Sequence, residues 1–237
     1  MEDVLAVYER PYDPARPVVC LDETSRQLLG EAQPPCLPEP GRSARHDPEY
    51  VRGGVANLFL ALEPLQGQRT VMVSEQRTRL DFARCIKELV DVQYPAAERI
   101  VLVLDQLNTH TPASLYAAFP PAEAQRLTDK LEIHYTPKHG RWLNMAELDL
   151  SVLQRQCLRR RLADRPAMEG AVTAWAERRN RASQRIDCNS RPPMRARSCA
   201  VSTRHMKIDA PLEAISERAR KHFPTRSFPY ARRFDKR

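Results

Sequence analysis

Residues 99–106 read RIVLVLDQ, an unbroken apolar run whose first charge after Arg99 is Asp105. Continuous aliphatic runs of this length mark strands covered on both faces, as in parallel or mixed sheets flanked by helices. The flanking sequence agrees. Upstream, Leu80, Phe82, Ala83, Ile86, Leu89 and Val90 recur at helical spacing over 78–92, with Thr78 placed as N-cap and Asp81 in the first turn. Downstream, two short helical stretches fill 112–130 around Pro120-Pro121, and LEIHYTP (131–137) is a further strand stopped by Pro137.

Further out, PVVCLDET (17–24) reads as a buried strand ending in two acids. Residues 32–54 are rich in Pro and Gly and read as a long loop. NLFLALEPL (57–65) and RTVMVSEQ (69–76) form two strands joined by a turn near Gln66-Gly67-Gln68. A long helix is expected over 143–162, with Leu143, Ala146, Leu150, Leu153 and Cys157 on its buried stripe, and another over 166–182 carrying Met168, Val172 and Trp175. This order predicts an α/β fold with a mixed central sheet flanked by helices. The hairpin makes it antiparallel on one side, and the helical crossovers make it parallel on the other.

Three acids occupy unusual places in this layout. Asp22 and Asp105 each end an apolar strand, where ligands collect in open α/β sheets. Glu147, four residues after Leu143 and three before Leu150, falls on the inner stripe of its helix. Taken singly, an acid after a strand is equally a turn or capping residue. Brought together, three carboxylates raise one another's pKa, and a divalent cation relieves that repulsion. All-oxygen ligands suit Mg²⁺ or Mn²⁺ rather than zinc, and two such ions would clamp a phosphodiester.

At this point VVCLDET, LVLDQLNTH and HYTPKHGRWLNMAELDLSVLQRQCL resemble the three signature blocks of a DDE transposase, a DDE superfamily endonuclease. The resemblance is to the bacterial insertion-sequence family allied to Tc/mariner elements, and it spans roughly residues 3–187. It implies a ribonuclease H-like fold, with Asp22, Asp105 and Glu147 as the catalytic, metal-binding acids. It also implies metal-dependent DNA strand cleavage and strand transfer at insertion-sequence ends, with Mg²⁺ or Mn²⁺, two ions, as cofactor. DNA, both transposon ends and target, is the implied partner, and synapsis of the ends makes a homodimer plausible. Lys138, His139, Arg141 and Trp142, just before Glu147, are expected to hold DNA phosphates or stack on an unpaired base; the alternative is a solvated loop with Trp142 as packing anchor. Asn108 and His110, which follow Asp105, read either as groups that orient metal-bound water or DNA or as caps of the next helix. Glu23 points to the opposite strand face and reads as structural.

Charge and composition bound the remaining possibilities. The net charge is +8, but residues 188–237 hold 13 Lys+Arg against 4 Asp+Glu, so residues 1–187 keep 25 of the 38 basic and 26 of the 30 acidic side chains. All the excess positive charge therefore lies in the tail. No apolar run approaches a membrane span, no secretory signal opens the chain, and six scattered cysteines suggest free thiols, which together point to a cytoplasmic protein.

Two departures from the family are expected to matter. The helix-turn-helix modules that precede the catalytic domain have no room before Asp22, so a separate chain supplies them or the gene is truncated. A truncated, inactive remnant with weak DNA association is thus the alternative function. The resemblance also stops near residue 188, where members continue with a segment like TTADAR…LRRLYP. One permitted encoding of residues 191–204, read from its third base, yields TADARAQLRRLYP. Residues 188–237 are therefore expected to be a basic tail translated out of frame, after a catalytic domain over 1–187.

Overall fold

The computed structural model describes residues 1–33 and 48–186. The middle of the expected 32–54 loop and the whole tail from 188, in which Leu212, Ile215 and Ala219 are spaced as in a short helix over 210–222, lie outside the described residues.

A five-stranded sheet forms the frame. Its strands are β1 (Val18–Glu31), β2 (Tyr50–Glu63), β3 (Gln68–Ser74), β4 (Ile100–Leu104) and β5 (Leu131–Tyr135), in the spatial order β3-β2-β1-β4-β5. β1, β2 and β3 pair antiparallel, and β1, β4 and β5 pair parallel. The mixed sheet is as expected. The helices are α1 (Glu2–Tyr8), α2 (Arg79–Glu88), α3 (Pro112–Ala118), α4 (Pro121–Asp129), α5 (Met145–Gln156) and α6 (Arg165–Arg181).

Strand alternation divides the core in two. Val18, Cys20, Leu58, Leu60, Leu62, Val101 and Val103 face the side packed by α1, α5 and α6. Val19, Leu21, Phe59, Ala61, Leu102 and Leu104 face the side packed by α2, α3 and α4. All five residues of β4 are buried, as the unbroken run of 99–106 requires.

Several boundaries follow local chemistry. α2 opens on a capping box: Thr78 and Asp81 each accept from the other's backbone N–H, at 3.3 and 3.0 Å. The β2–β3 turn is closed by Gly67, whose φ of +64 favours glycine and whose absent Cβ would stand 2.6 Å from the Gln184 backbone.

Others differ from the sequence reading. β1 continues to Glu31 and β2 starts at Tyr50, because the two pair along their whole length apart from one irregularity at Leu28/Leu29. Cross-strand hydrogen bonds thus overcome the Gly-rich RGG that reads as loop. The helix expected over 143–162 is shorter. A 3-10 turn covers Arg141–Leu143, Asn144 caps α5 with its side chain on the Ala146 N–H, and the helix ends at Gln156. Beyond it the chain runs alongside β1, where the Leu162 carbonyl accepts from the Leu29 N–H at 2.8 Å. The N-terminal helix α1 is unanticipated.

Candidate active site

The parallel pairing of β1 and β4 ends at Cys20 opposite Val103, and continuing it by two residues sets Asp22 beside Asp105. Both side chains lie on the sheet face packed by α5, and both residues are buried, at 5% and 7% exposure. Asn144 brings α5 to the same place. Its side-chain amide donates to the Leu21 carbonyl at 2.8 Å while its oxygen caps the helix, pinning the α5 N-terminus to β1 beside Asp22. Glu147 sits in that first turn, where the helix N-terminus favours negative charge. It is half-buried, unlike Ala146 and Leu150 on the same stripe.

Electrostatics distinguish the two aspartates. Burial, with the charges of Glu23 and Asp105 nearby, pushes the Asp22 carboxyl up to about 6, although it accepts the Glu23 backbone N–H at 2.9 Å. Burial acts on Asp105 in the same direction, but the neighbouring His110 and Arg141 outweigh it and hold this carboxyl below the usual range. The Arg141 guanidinium stands 3.7 Å from Asp105 Oδ2.

His110 is placed behind Asp105. Its Nδ1 lies 2.6 Å from Asp105 Oδ1 and its Nε2 2.9 Å from Glu23 Oε2, with the ring 1% exposed. Burial disfavours the charged ring, yet the two carboxylates dominate and hold His110 at about 9. These contacts are close rather than well directed, since Asp105 Oδ1 and both Glu23 oxygens receive no aligned hydrogen bond. His110 caps no helix: the N-cap of α3 is Thr111. Glu23 does point to the other strand face, as expected, but it belongs to this charged cluster.

The loop between β5 and α5 borders the aspartates. The Thr136 N–H donates to the Leu104 carbonyl at 2.9 Å, so the loop leaves the sheet next to Asp105. Lys138, His139, Arg141 and Trp142 are all exposed, and Trp142 at 52% is no packing anchor. A separate cavity of about 730 Å³ between β3, α2 and Arg165 contains none of these residues.

As candidate metal ligands, Asp22 and Asp105 fit a hard divalent ion: both are oxygen donors, and the raised Asp22 carboxyl is one whose charge a cation would stabilise. Among the described residues, no three His, Cys, Asp or Glu side chains are gathered tightly enough to hold a metal. The aspartate pair is assembled, and Glu147 lies half-buried in the first turn of α5.

Sequence reasoning missed Asn144 as the tie between helix and strand. Its signal was an N-cap residue type directly before a helical run. It gave no role to Asp149, which is fully buried and binds Arg69 Nε at 2.7 Å and Arg179 Nη2 at 3.1 Å.

The site is thus a pair of buried aspartates, one within β1 and one just after β4, under a capped helix on a mixed sheet of order β3-β2-β1-β4-β5. Residues 17–169 match the family of DDE superfamily endonucleases, and the chain belongs to that family. The family implies use of a divalent metal. No curated protein matches the chain. Among solved structures, it is similar to the Mos1 mariner paired end complex with Mn, at 15% identity and TM-score 0.49, covering 77% of this chain and 55% of that one. A pre-cleavage Mos1 transpososome gives 14% and 0.46 over 77% and 58%, and the Mos1 strand transfer complex 14% and 0.43 over 74% and 51%. The chain thus spans little more than half the length of these proteins.

Proposed function

We propose that this chain is the catalytic part of a cytoplasmic DNA transposase, cutting and joining strands at insertion-sequence ends. The observation that carries the reading is the buried Asp22–Asp105 pair beside the capped N-terminus of α5. Asp22, Asp105 and Glu147 would hold Mg²⁺ or Mn²⁺, two ions in all, with Glu147 turning inward from its half-buried position. When bound, the metal activates the attacking oxygen and stabilises the leaving one.

The chain's own residues supply binding and orientation. Lys138, His139 and Arg141 receive backbone phosphates, and exposed Trp142 stacks on an unpaired base. Asn144 keeps the Glu147 turn against β1. We further propose that transposon-end and target DNA are the substrates, with two copies of the chain acting on paired ends. The catalytic domain comprises residues 1–187, and 188–237 is a tail read out of frame. The second reading, an inactive remnant, is favoured by one observation: among the described residues no three His, Cys, Asp or Glu side chains are gathered tightly enough to hold a metal.

The test is Mn²⁺-dependent nicking of plasmid DNA carrying the element's terminal repeats. Asp105→Asn is expected to lower cleavage at least about 100-fold while remaining folded by circular dichroism, as removal of a metal ligand would. Equal nicking by wild type and the variant would reject the assignment, and no nicking by wild type even with an added end-binding protein would favour the remnant. Trp142→Ala should weaken single-stranded DNA binding by about 1–3 kcal/mol with stability unchanged, read by fluorescence anisotropy.

A further inference from the structure

Glu23, His110 and Asp105 form a line running from one face of the sheet around the end of the strands to the other. Glu23 projects to the side packed by α2, and its side chain is 1% exposed. The His110 ring lies between, 4.7 Å from the Phe82 ring, with its Nε2 toward Glu23 and its Nδ1 toward Asp105. The ring has little freedom. The backbone of His110 is fixed on both sides, its N–H donating to the Leu107 carbonyl at 2.9 Å and its carbonyl accepting the Tyr135 hydroxyl at 2.7 Å.

We infer that His110 is a positioning residue: backed by Glu23, it turns the Asp105 carboxylate so that Oδ1 faces the protein and Oδ2 faces the site shared with Asp22. This rests on the proposed metal-dependent reading of that site. The alternative role, general stabilisation of the fold, is a poor account of the cluster, because ion pairs buried this deeply seldom outperform apolar packing of the same volume. Orientation accounts for the geometry. One Asp105 oxygen meets the imidazole, and the other is left toward the loop, where Arg141 stands 3.7 Å away. Residues that hold a metal ligand from behind in this way set its direction and basicity.

The experiment is Mn²⁺ binding to the full chain, read from the electron paramagnetic resonance signal of free Mn²⁺. Compared proteins are wild type, Asp105→Asn, His110→Ala, His110→Gln and Glu23→Gln. Asp105→Asn should abolish tight binding. His110→Ala should raise the Mn²⁺ Kd at least about tenfold, and His110→Gln, which keeps an N–H donor, should recover part of the loss. Glu23→Gln, matched in shape, should raise it about three- to tenfold by loosening the ring. In cleavage assays the half-saturating Mn²⁺ concentration should rise in the His110 and Glu23 variants while the KM for DNA stays constant, a split that partial unfolding would not produce.

His110→Ala binding Mn²⁺ as tightly as wild type, beside a defective Asp105→Asn, would overturn the positioning role alone. Should circular dichroism show that His110→Ala does not fold, Glu23→Gln decides in its place by the same criterion. Wild type that binds no Mn²⁺, or Asp105→Asn that binds it normally, would overturn the metal reading and the positioning role with it.

Discussion

Asp22 illustrates how one residue can be costly to the empty fold and necessary to its chemistry. Its carboxyl, ordinarily near 3.8, is raised to about 6 in the folded protein, mainly by burial. The native state is therefore unpenalised below pH 3.8 and loses stability as pH rises through 6, by up to about 3 kcal/mol. With chelator present at pH 8, Asp22→Asn should raise the urea midpoint above that of wild type. Adding Mg²⁺ should stabilise wild type and leave the variant unmoved. A variant less stable than wild type in chelator would show that the ionised carboxylate is already well accommodated. The apolar run before Asp22 was legible as a strand, but the expectation that the strand ends there fails: β1 continues to Glu31, and only its pairing with β4 stops short of Asp22. The elevation of its carboxyl was not legible, because it comes mainly from burial under segments distant in the chain, with a lesser effect from Asp105, 83 residues away.

At the scale of the element, α5 shows where periodicity informs and where it stops. The stripe of Ala146, Leu150 and Leu153 is buried as its spacing demands. Asp149 is three residues after Ala146 and four before Leu153, so the pattern already placed it inward. Its partners were not visible, since Arg69 lies on β3 and Arg179 on α6. Both guanidiniums also stack over Trp175, at 5.9 and 5.3 Å. Asp149 thereby fastens the helix of Glu147 to the sheet and to α6. Asp149→Ala leaves two arginines without their carboxylate and should cost about 3–5 kcal/mol by urea denaturation. A loss below about 1 kcal/mol would mean that water replaces the carboxylate there.

For the molecule as a whole, α1 and the segment following it are tied to the sheet edge through Glu132 on β5. Arg10 holds one oxygen at 2.7 Å, Arg16 pairs with the other, and His134 joins Glu132 to Asp3 of α1. Arg10 first, then His134 and Arg16, hold the Glu132 carboxyl down at about 2 against a smaller opposing effect of burial. A lowered carboxyl stabilises the fold above its unfolded value, near 4.5, and that contribution fades as pH falls through 2. Because the two arginines that pair with it are partly open to solvent, Glu132→Gln should cost no more than about 1 kcal/mol at pH 7, and the difference should vanish near pH 2. A difference that persists at pH 2 would assign the effect to packing. By itself the sequence determined the order of the strands and of the helices after α1, the mixed sheet and the place of Asp105 just after β4, because apolar periodicity and its interruptions are local properties. The tertiary structure alone decided that the two aspartates adjoin, that His110 reaches back to Glu23, and that β1 and β2 extend through a Gly-rich stretch. Each of those depends on register and burial between segments distant in the chain, and no local pattern encodes either.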